Sequence, residues 1–443
     1  MSNINCILYP PTVDFHYLVQ RPQHLIKNFS ELGVLSFFLN NPHLHEHQRR
    51  GIERINPYLF LFNGVEPTEF LRDIRPVVYY SATAHVDMIK KYRPSLVVFD
   101  SVDEPSDEFA GWRPYYHRAV ATADIVITTS DKLYKMAKSI NPRSFLVPNA
   151  CDYEHFSPST HLPIPADMRG INSPVIGYIG AIATWVDLEL LDRVAARLPH
   201  FNFVMLGPLY NVSELPQRPN LHWLGFKDYK DLPAYAQAFD VGLIPFKLSS
   251  MTESVNPIKM WEYMAAGMPV VATALPEVYK LQELIYYSEN EEEFIENIRR
   301  ALATDNPFQR KQRMELARQN SWSARAVEIL DLIENALAEK GIKKTEYRAD
   351  GIMDTLLPDR AYTEFKEPFR TSLSPFQQVL VSPGSGFRYS IYPGKEYRDR
   401  DRVRNVWSRA DSAFPAGDIA VVQKSGFRYY TQRHQKELGL YYG

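Results

Sequence analysis

The strongest constraint on this chain is a recurrence of short, nearly unbroken apolar runs separated by longer amphipathic stretches. In the first third these runs are Cys6-Ile7-Leu8-Tyr9, Val34-Leu35-Ser36-Phe37-Phe38-Leu39, Val77-Val78-Tyr79-Tyr80, Leu96-Val97-Val98-Phe99 and Ile125-Val126-Ile127-Thr128. A strand with one wet face would alternate polar and apolar residues. A continuous apolar run marks a strand buried on both faces, as in a parallel sheet covered by helices. With helical sequence between the runs, such as Gln23 to Leu32, the pattern predicts a doubly wound α/β unit that closes at Phe145-Leu146-Val147-Pro148-Asn149. A Pro-rich connection from Ser157 to Pro174 has no period and marks a boundary.

A second alternation follows. Strands are predicted at Val175–Gly180, Phe203–Gly207, His222–Gly225, Val241–Pro245 and Pro269–Ala272, with helices through Leu188–Leu198 and near Leu232–Phe239. Helical, charge-paired sequence from Glu291 to Lys340 is expected to complete this unit. The reading is of two Rossmann-like domains, residues 1–160 and 172–343, facing a cleft. From 345 to 443 the sequence turns aromatic and Pro/Gly-punctuated. Ser385-Gly386-Phe387-Arg388-Tyr389 recurs there as Ser425-Gly426-Phe427-Arg428-Tyr429, each after an apolar run. This predicts an appended module of β-hairpins, whose aromatic and Arg residues suit either glycan binding or packing and subunit contact.

Composition narrows the function classes. The 50 Lys and Arg nearly balance 52 Asp and Glu, so no general basic excess draws the chain to nucleic acid, and any bound anion must be held locally. Cys6 and Cys151 stand alone, which argues against a disulfide framework and a zinc site. With an amino terminus unlike a signal peptide and no apolar run of about 18 residues, a reducing cytoplasm is expected, with contact at the inner face of the plasma membrane left open.

The chemistry gathers at Asn256-Pro257-Ile258-Lys259-Met260-Trp261-Glu262-Tyr263-Met264-Ala265-Ala266-Gly267. Asn256 suits an N-cap, Pro257 the first helical position, and Gly267 followed by Pro269 a stop. A helix start offers unpaired N–H groups and partial positive charge to a diphosphate, and Lys259 adds a full charge. Glu262, three residues on, shares that face and can accept from two ribose hydroxyls. The bland alternative is a capped helix with an exposed Lys–Glu pair. On the amino-terminal side Arg21 and His24 open a helix and are candidates for the acceptor side, while His85, Asp100 and Asp103 follow strand ends, where α/β folds bind ligands. His85 and Asp103 are carried as candidates to orient an acceptor hydroxyl or the donor sugar. Asp399-Arg400-Asp401 lies in a run of alternating charge and reads as solvated surface, not a metal site. Gly177-x-x-Gly180 lacks the further glycine of a dinucleotide fingerprint.

The run from Lys259 to Thr273 resembles the donor-site helix and strand of family 4 glycosyltransferases, most of all the bacterial envelope-polysaccharide members. The resemblance extends to Gln20–Leu25, Phe99–Glu104, Ala123–Ser130, Val147–Asp152, Gly177–Gly180 and Asp240–Phe246, about three quarters of the chain, and it is their order that carries it. It implies the GT-B fold and transfer of a sugar from a nucleotide sugar with retained configuration, without cofactor or essential metal. By that resemblance Glu262 binds the donor ribose, Lys259 stabilises the departing diphosphate, and Gly180 lets backbone amides approach it. Asn256, Gly207 and Phe226 are counted with the donor side, Phe226 at the border of the base. A UDP-sugar is favoured over a GDP-sugar, with a polysaccharide, glycolipid or lipid-linked acceptor. The family's earlier glutamate, eight positions before Glu262, is here Ser254, preceded by Glu253. Either a bulge brings Glu253 to the sugar or Ser254 serves instead. Pro10-Pro11-Thr12-Val13-Asp14-Phe15-His16 replaces the usual glycine-rich loop. Two other readings stay open: a sugar-nucleotide epimerase or hydrolase on the same fold, and a catalytically silent glycan- or partner-binding scaffold.

Overall fold

A computed structural model describes residues 4–42, 50–71, 74–157 and 161–342, together with the backbone of short strands at 362–364, 419–423 and 426–430. The first repeat of the Ser-Gly-Phe-Arg-Tyr unit and the charge run around Asp399 lie outside the described residues.

The apolar runs of the first third become strands β1 (Ile7–Tyr9), β2 (Ser36–Asn40), β5 (Val77–Tyr80), β6 (Leu96–Ser101), β7 (Ile125–Thr128) and β8 (Ser144–Leu146). An antiparallel pair, β3 (Gly51–Asn56) and β4 (Leu59–Asn63), joins them on one side. The order in the sheet is β3-β4-β2-β1-β5-β6-β7-β8, and every pairing except β3 with β4 is parallel. The second sheet is wholly parallel, in the order β13 (Leu221–Gly225), β11 (Asn202–Leu206), β9 (Val175–Ile179), β14 (Val241–Ile244), β15 (Val270–Thr273) and β16 (Tyr286–Ser288). A two-residue pair, β10 (Ile182–Ala183) and β12 (Leu209–Tyr210), sits beside it. Each sheet winds outward from a central strand and then reverses, between β1 and β5 and between β9 and β14. At such reversals the carboxyl ends of the strands open a crevice.

Tyr362–Glu364 forms β17, which adds antiparallel to β3 at the edge of the first sheet. Contacts divide the chain into one compact unit over 1–364 and another over 365–443. In the latter, β18 (Ile419–Gln423) and β19 (Gly426–Tyr430) pair as an antiparallel hairpin, so the second repeat forms the returning strand.

One helix departs from the sequence expectation. Helices Glu291–Thr304 and Pro307–Gln319 do pack on the second sheet, through Phe294, Ile295, Ile298 and Ala317. The last helix, Trp322–Glu339, returns instead to the first sheet, where Trp322, Ala326, Ile329 and Ile333 share a core with Leu25, Ile26 and Phe29 of the first helix, Arg21–Glu31. The expectation that everything to Lys340 completes the second lobe is therefore corrected. Helical period shows that a face is apolar, not which sheet will cover it. The chain consequently crosses between lobes twice, and the crossings touch: Cys151 N donates to Asn320 O (3.2 Å) and Trp322 N to Cys151 O (3.0 Å). Trp322, 1% exposed, stacks on His24 with centroids 5.1 Å apart. Trp322→Ala is expected to lower unfolding free energy by about 3–5 kcal/mol, because a large cavity opens between two helices. Denaturant unfolding followed by circular dichroism reads the shift in midpoint.

Candidate functional site

The second lobe presents three glycines at its strand ends. Gly180 follows β9, Gly207 follows β11, and Gly225 ends β13, with φ of +144°, +145° and +69°. They are laced together: Gly180 N donates to Leu206 O and Gly207 N to Gly225 O, each at 2.9 Å. A Cβ on Gly207 would lie 1.8 Å from the Gly180 carbonyl oxygen, so the close approach of these two turns requires glycine there.

Opposite them stands the helix Ile258–Ala265, at the reversal between β9 and β14. It starts later than Asn256 leads one to expect. Pro257 holds the N-cap position with extended backbone, and no side chain caps the helix. Asn256 is buried and spent on the framework: its Oδ1 accepts from Trp261 Nε1 (3.0 Å), its Nδ2 donates to Glu277 Oε2 (3.1 Å), and its carbonyl accepts from Asn149 Nδ2 (2.7 Å). Its assignment as cap and donor contact is corrected, since all three polar groups are engaged elsewhere. With no side-chain cap, the amides of the first turn keep their positive field toward the crevice.

Lys259 lies in that first turn. Its Nζ sits over the rings of Phe246 (4.7 Å) and Tyr178 (5.2 Å), and a Cβ on Gly180 would come within 3.3 Å of it. Burial presses its pKa down to about 8, and Glu262 opposes that shift. Glu262 is 7% exposed, and no hydrogen bond from the described residues reaches its carboxylate. Burial raises its pKa to about 7, with Lys259 pulling it down and Asp152 pushing it up. The pair is thus not the exposed, solvated couple of the bland reading. A half-buried ammonium and a buried carboxylate, neither hydrogen-bonded by the described residues, are poised for groups that can satisfy them.

Tyr229, on the short turn Tyr229–Asp231, was not legible in the sequence. It stacks on His155 at 4.4 Å, its hydroxyl is buried without a hydrogen-bond partner among the described residues, and burial together with the charges of Glu262 and Asp152 holds its pKa well above the ordinary value.

The loop before the helix resolves the alternatives at 253 and 254. Ser254 is fully buried on the one-turn helix Thr252–Ser254, its Oγ donating to Met251 O at 2.7 Å. Glu253 points outward and pairs with Lys132 of the first lobe at 3.1 Å. No contact among the described residues joins either of them to Lys259 or Glu262; Ser254 anchors its own loop and Glu253 reaches the first lobe.

On the first lobe, Arg21 and His24 are likewise framework. Arg21 pairs with Asp100 at 2.8 Å, both nearly inaccessible, and its Nη1 donates to Pro148 O and Asn149 Oδ1, tying the first helix to the crossing between lobes. His24 is sandwiched by Trp322 and the edge of Tyr229, and burial drives its pKa to about 3, so it stays neutral. Arg21 Nη2 and His24 Nε2 are buried without a hydrogen-bond partner among the described residues. His85, on the turn Thr83–Val86, is half-buried, with Nδ1 3.5 Å from Thr12 Oγ1, and burial lowers its pKa to about 4. Asp103, just past β6, has its carboxyl raised to about 7 by burial and by the Asp100 charge. The two line the strand ends of the first lobe, and no contact among the described residues links them to Lys259 or Glu262. Phe226 does reach the cleft, where its ring stacks at 4.9 Å on Tyr17, carried by the segment that follows the Pro10–His16 loop. That loop is pinned by Phe15 N to Asn40 Oδ1 (2.7 Å) and Asn41 N to Val13 O (3.1 Å).

Comparison with known proteins finds likeness over part of the chain. The family model "Glycosyl transferases group 1" matches residues 173–304, which hold the glycine-ended strands, Lys259 and Glu262. A Bacillus subtilis protein named for teichuronic acid biosynthesis, the glycosyltransferase TuaH, is 30% identical over 220 residues. That match takes in 46% of this chain and 55% of TuaH, so the chain spans about half the length of its curated relative. Among solved structures, sucrose-phosphate synthase from Thermosynechococcus elongatus superposes with a TM-score of 0.59 at 15% identity, over 76% of this chain and all of that one. Anabaena HepE in complex with UDP-glucose gives 0.57 at 14% identity, over 75% and 100%. At these identities the likeness is one of fold. The chain has the GT-B architecture of two facing Rossmann-like lobes, and its residues 173–304 are similar to the glycosyl transferases group 1 model.

Proposed function

We propose that this protein transfers a sugar from a nucleotide-sugar donor, a UDP-sugar before a GDP-sugar, to a polysaccharide, glycolipid or lipid-linked acceptor in cell-envelope glycan synthesis, with retention of configuration and no metal. The observation that carries this reading is the pair of half-buried Lys259 and buried Glu262 at an uncapped helix start, facing glycine-ended strands. Glu262 accepts from the ribose hydroxyls. The diphosphate lies across the helix start, where Lys259 and the first-turn amides meet the charge that grows on the leaving phosphate as the glycosidic bond breaks. Preorganised cations and N–H groups act most strongly on charge that appears only in the transition state. The identity with a teichuronic acid protein supports the envelope assignment, and the likeness to a protein solved with UDP-glucose supports the donor class. The site of action is the cytoplasm, with contact at the inner face of the plasma membrane left open.

A panel of nucleotide sugars tests the reading by thermal stabilisation. A ligand at 100 times its Kd adds about 2.7 kcal/mol of stability, and one or more UDP-sugars are expected to do so. Products are then analysed with and without an envelope-glycan acceptor. Transfer to the acceptor supports the reading, whereas release of free sugar or an epimerised donor overturns it in favour of hydrolase or epimerase chemistry. No stabilisation by any nucleotide sugar leaves the silent scaffold.

A further inference from the structure

The segment from Lys247 to Ser254 leads directly into the helix that carries Lys259, and it is folded on itself. Thr252 Oγ1 donates to Lys247 O at 2.6 Å, Ser249 N to Thr252 Oγ1 at 2.8 Å, and Ser254 Oγ to Met251 O at 2.7 Å. With Thr252 and Ser254 turned inward and fully buried, Ser250 and Glu253 face the other lobe. There they meet a single cation. Lys132 Nζ lies 2.9 Å from Ser250 O, 3.3 Å from Ser250 Oγ, 3.1 Å from Glu253 Oε2 and 2.7 Å from Glu104 Oε2. Glu104 completes the circuit by accepting from Ser250 Oγ at 2.9 Å, and Asp107 Oδ2 accepts from Met251 N at 2.8 Å. Contacts from the first lobe thus engage both the backbone and the side chains of this loop.

We infer that Lys132 is a positioning residue of the donor site: from the first lobe it grips the 249–254 loop of the second, so that the loop is seated only when the lobes are together. This rests on the donor-site reading of the helix that follows. The chemistry fits a reversible grip. Lys132 is about one-third exposed and Glu253 about half, and ion pairs at that exposure are individually weak. One ammonium with three hydrogen-bond acceptors and an ion pair to Glu104 is directional enough to define the closed arrangement, yet remains able to open for substrate entry and product release.

Three measurements on the full chain test this. Lys132→Ala is expected to keep UDP affinity by calorimetry within about threefold of wild type while turnover at saturating donor falls at least tenfold. In the UDP complex the amides of 249–254 are expected to exchange hydrogen at least tenfold faster. Lys132→Arg, which keeps the charge, is expected to stay within about threefold of wild type in all three. Turnover lost without loop release, loop release without loss of turnover, UDP affinity falling as far as turnover, or an arginine variant as impaired as alanine would each overturn the assignment. If wild type binds no nucleotide, the donor-site reading itself fails, and loop exchange in the free protein still reports whether Lys132 holds the loop.

Discussion

Glu262→Ala is expected to abolish sugar transfer and donor binding while leaving the protein as stable as wild type at neutral pH, or more so. The carboxylate is buried, and no described residue hydrogen-bonds it, so its removal breaks no internal hydrogen bond. Its raised pKa gives the sign. With the folded value near 7 and the ordinary value 4.5, the folded state holds the proton more tightly than the unfolded chain. Stability therefore falls as pH rises from about 4.5 to 7, by at most about 3 kcal/mol for a shift of that size. Glu262→Gln should flatten that part of the profile. Thermal denaturation of wild type and Glu262→Gln from pH 4.5 to 8 is expected to show a gap that widens with pH and levels off above 7. Calorimetry with UDP is expected to show binding to wild type and its loss in Glu262→Gln. Stability that falls with the substitution, with UDP binding intact, would place Glu262 in the framework and remove it from the ligand site.

Lys259→Met is expected to reduce turnover by about 10²–10³-fold, the range seen when one preorganised transition-state contact is removed, with a smaller effect on donor affinity. Turnover falls further than affinity because the charge that Lys259 meets grows as the bond breaks. The folded pKa of about 8 lies below the ordinary 10.5, so the half-buried ammonium costs stability below pH 8, and that cost disappears as pH rises from about 8 to 10.5. The methionine variant should lose this rise. In wild type, donor affinity is expected to fall above about pH 8 as the free enzyme loses the proton, and in Lys259→Met it should be flat there. Titrations of UDP binding between pH 6.5 and 9.5 distinguish the two.

Much of this was legible in the sequence because it is local. Apolar runs of four to six residues became the buried parallel strands, since burial on both faces is a property of the run itself. The spacing of Lys259 and Glu262 put them on one side of a helix for the same reason. Arg21 and His24 were misread because their partners are distant: Asp100 lies 79 residues from Arg21, and the indole that stacks on His24 comes from the last helix. Nothing in the residues around Arg21 announces a buried ion pair. Asn256 has the composition of a cap and the context of a proline, yet Trp261, Glu277 and Asn149 engage its polar groups first. Lys132 carries no sequence signal, being one lysine of an ordinary surface helix, Asp131–Lys138, until the 249–254 loop arrives against it.

From the sequence alone come the parallel strands of two sheets and their order along the chain, though not the antiparallel β3–β4 pair, and the helix that holds a cation and a carboxylate on one face. These rest on short-range periodicity and chain chemistry. The tertiary structure decided how deeply that pair is buried, that the last helix crosses back to the first lobe, that Ser254 turns inward, and that Glu253 reaches Lys132. Each of those depends on which distant surface arrives as neighbour. Desolvation, and with it the protonation of Lys259 and Glu262, exists only once that neighbour has displaced water.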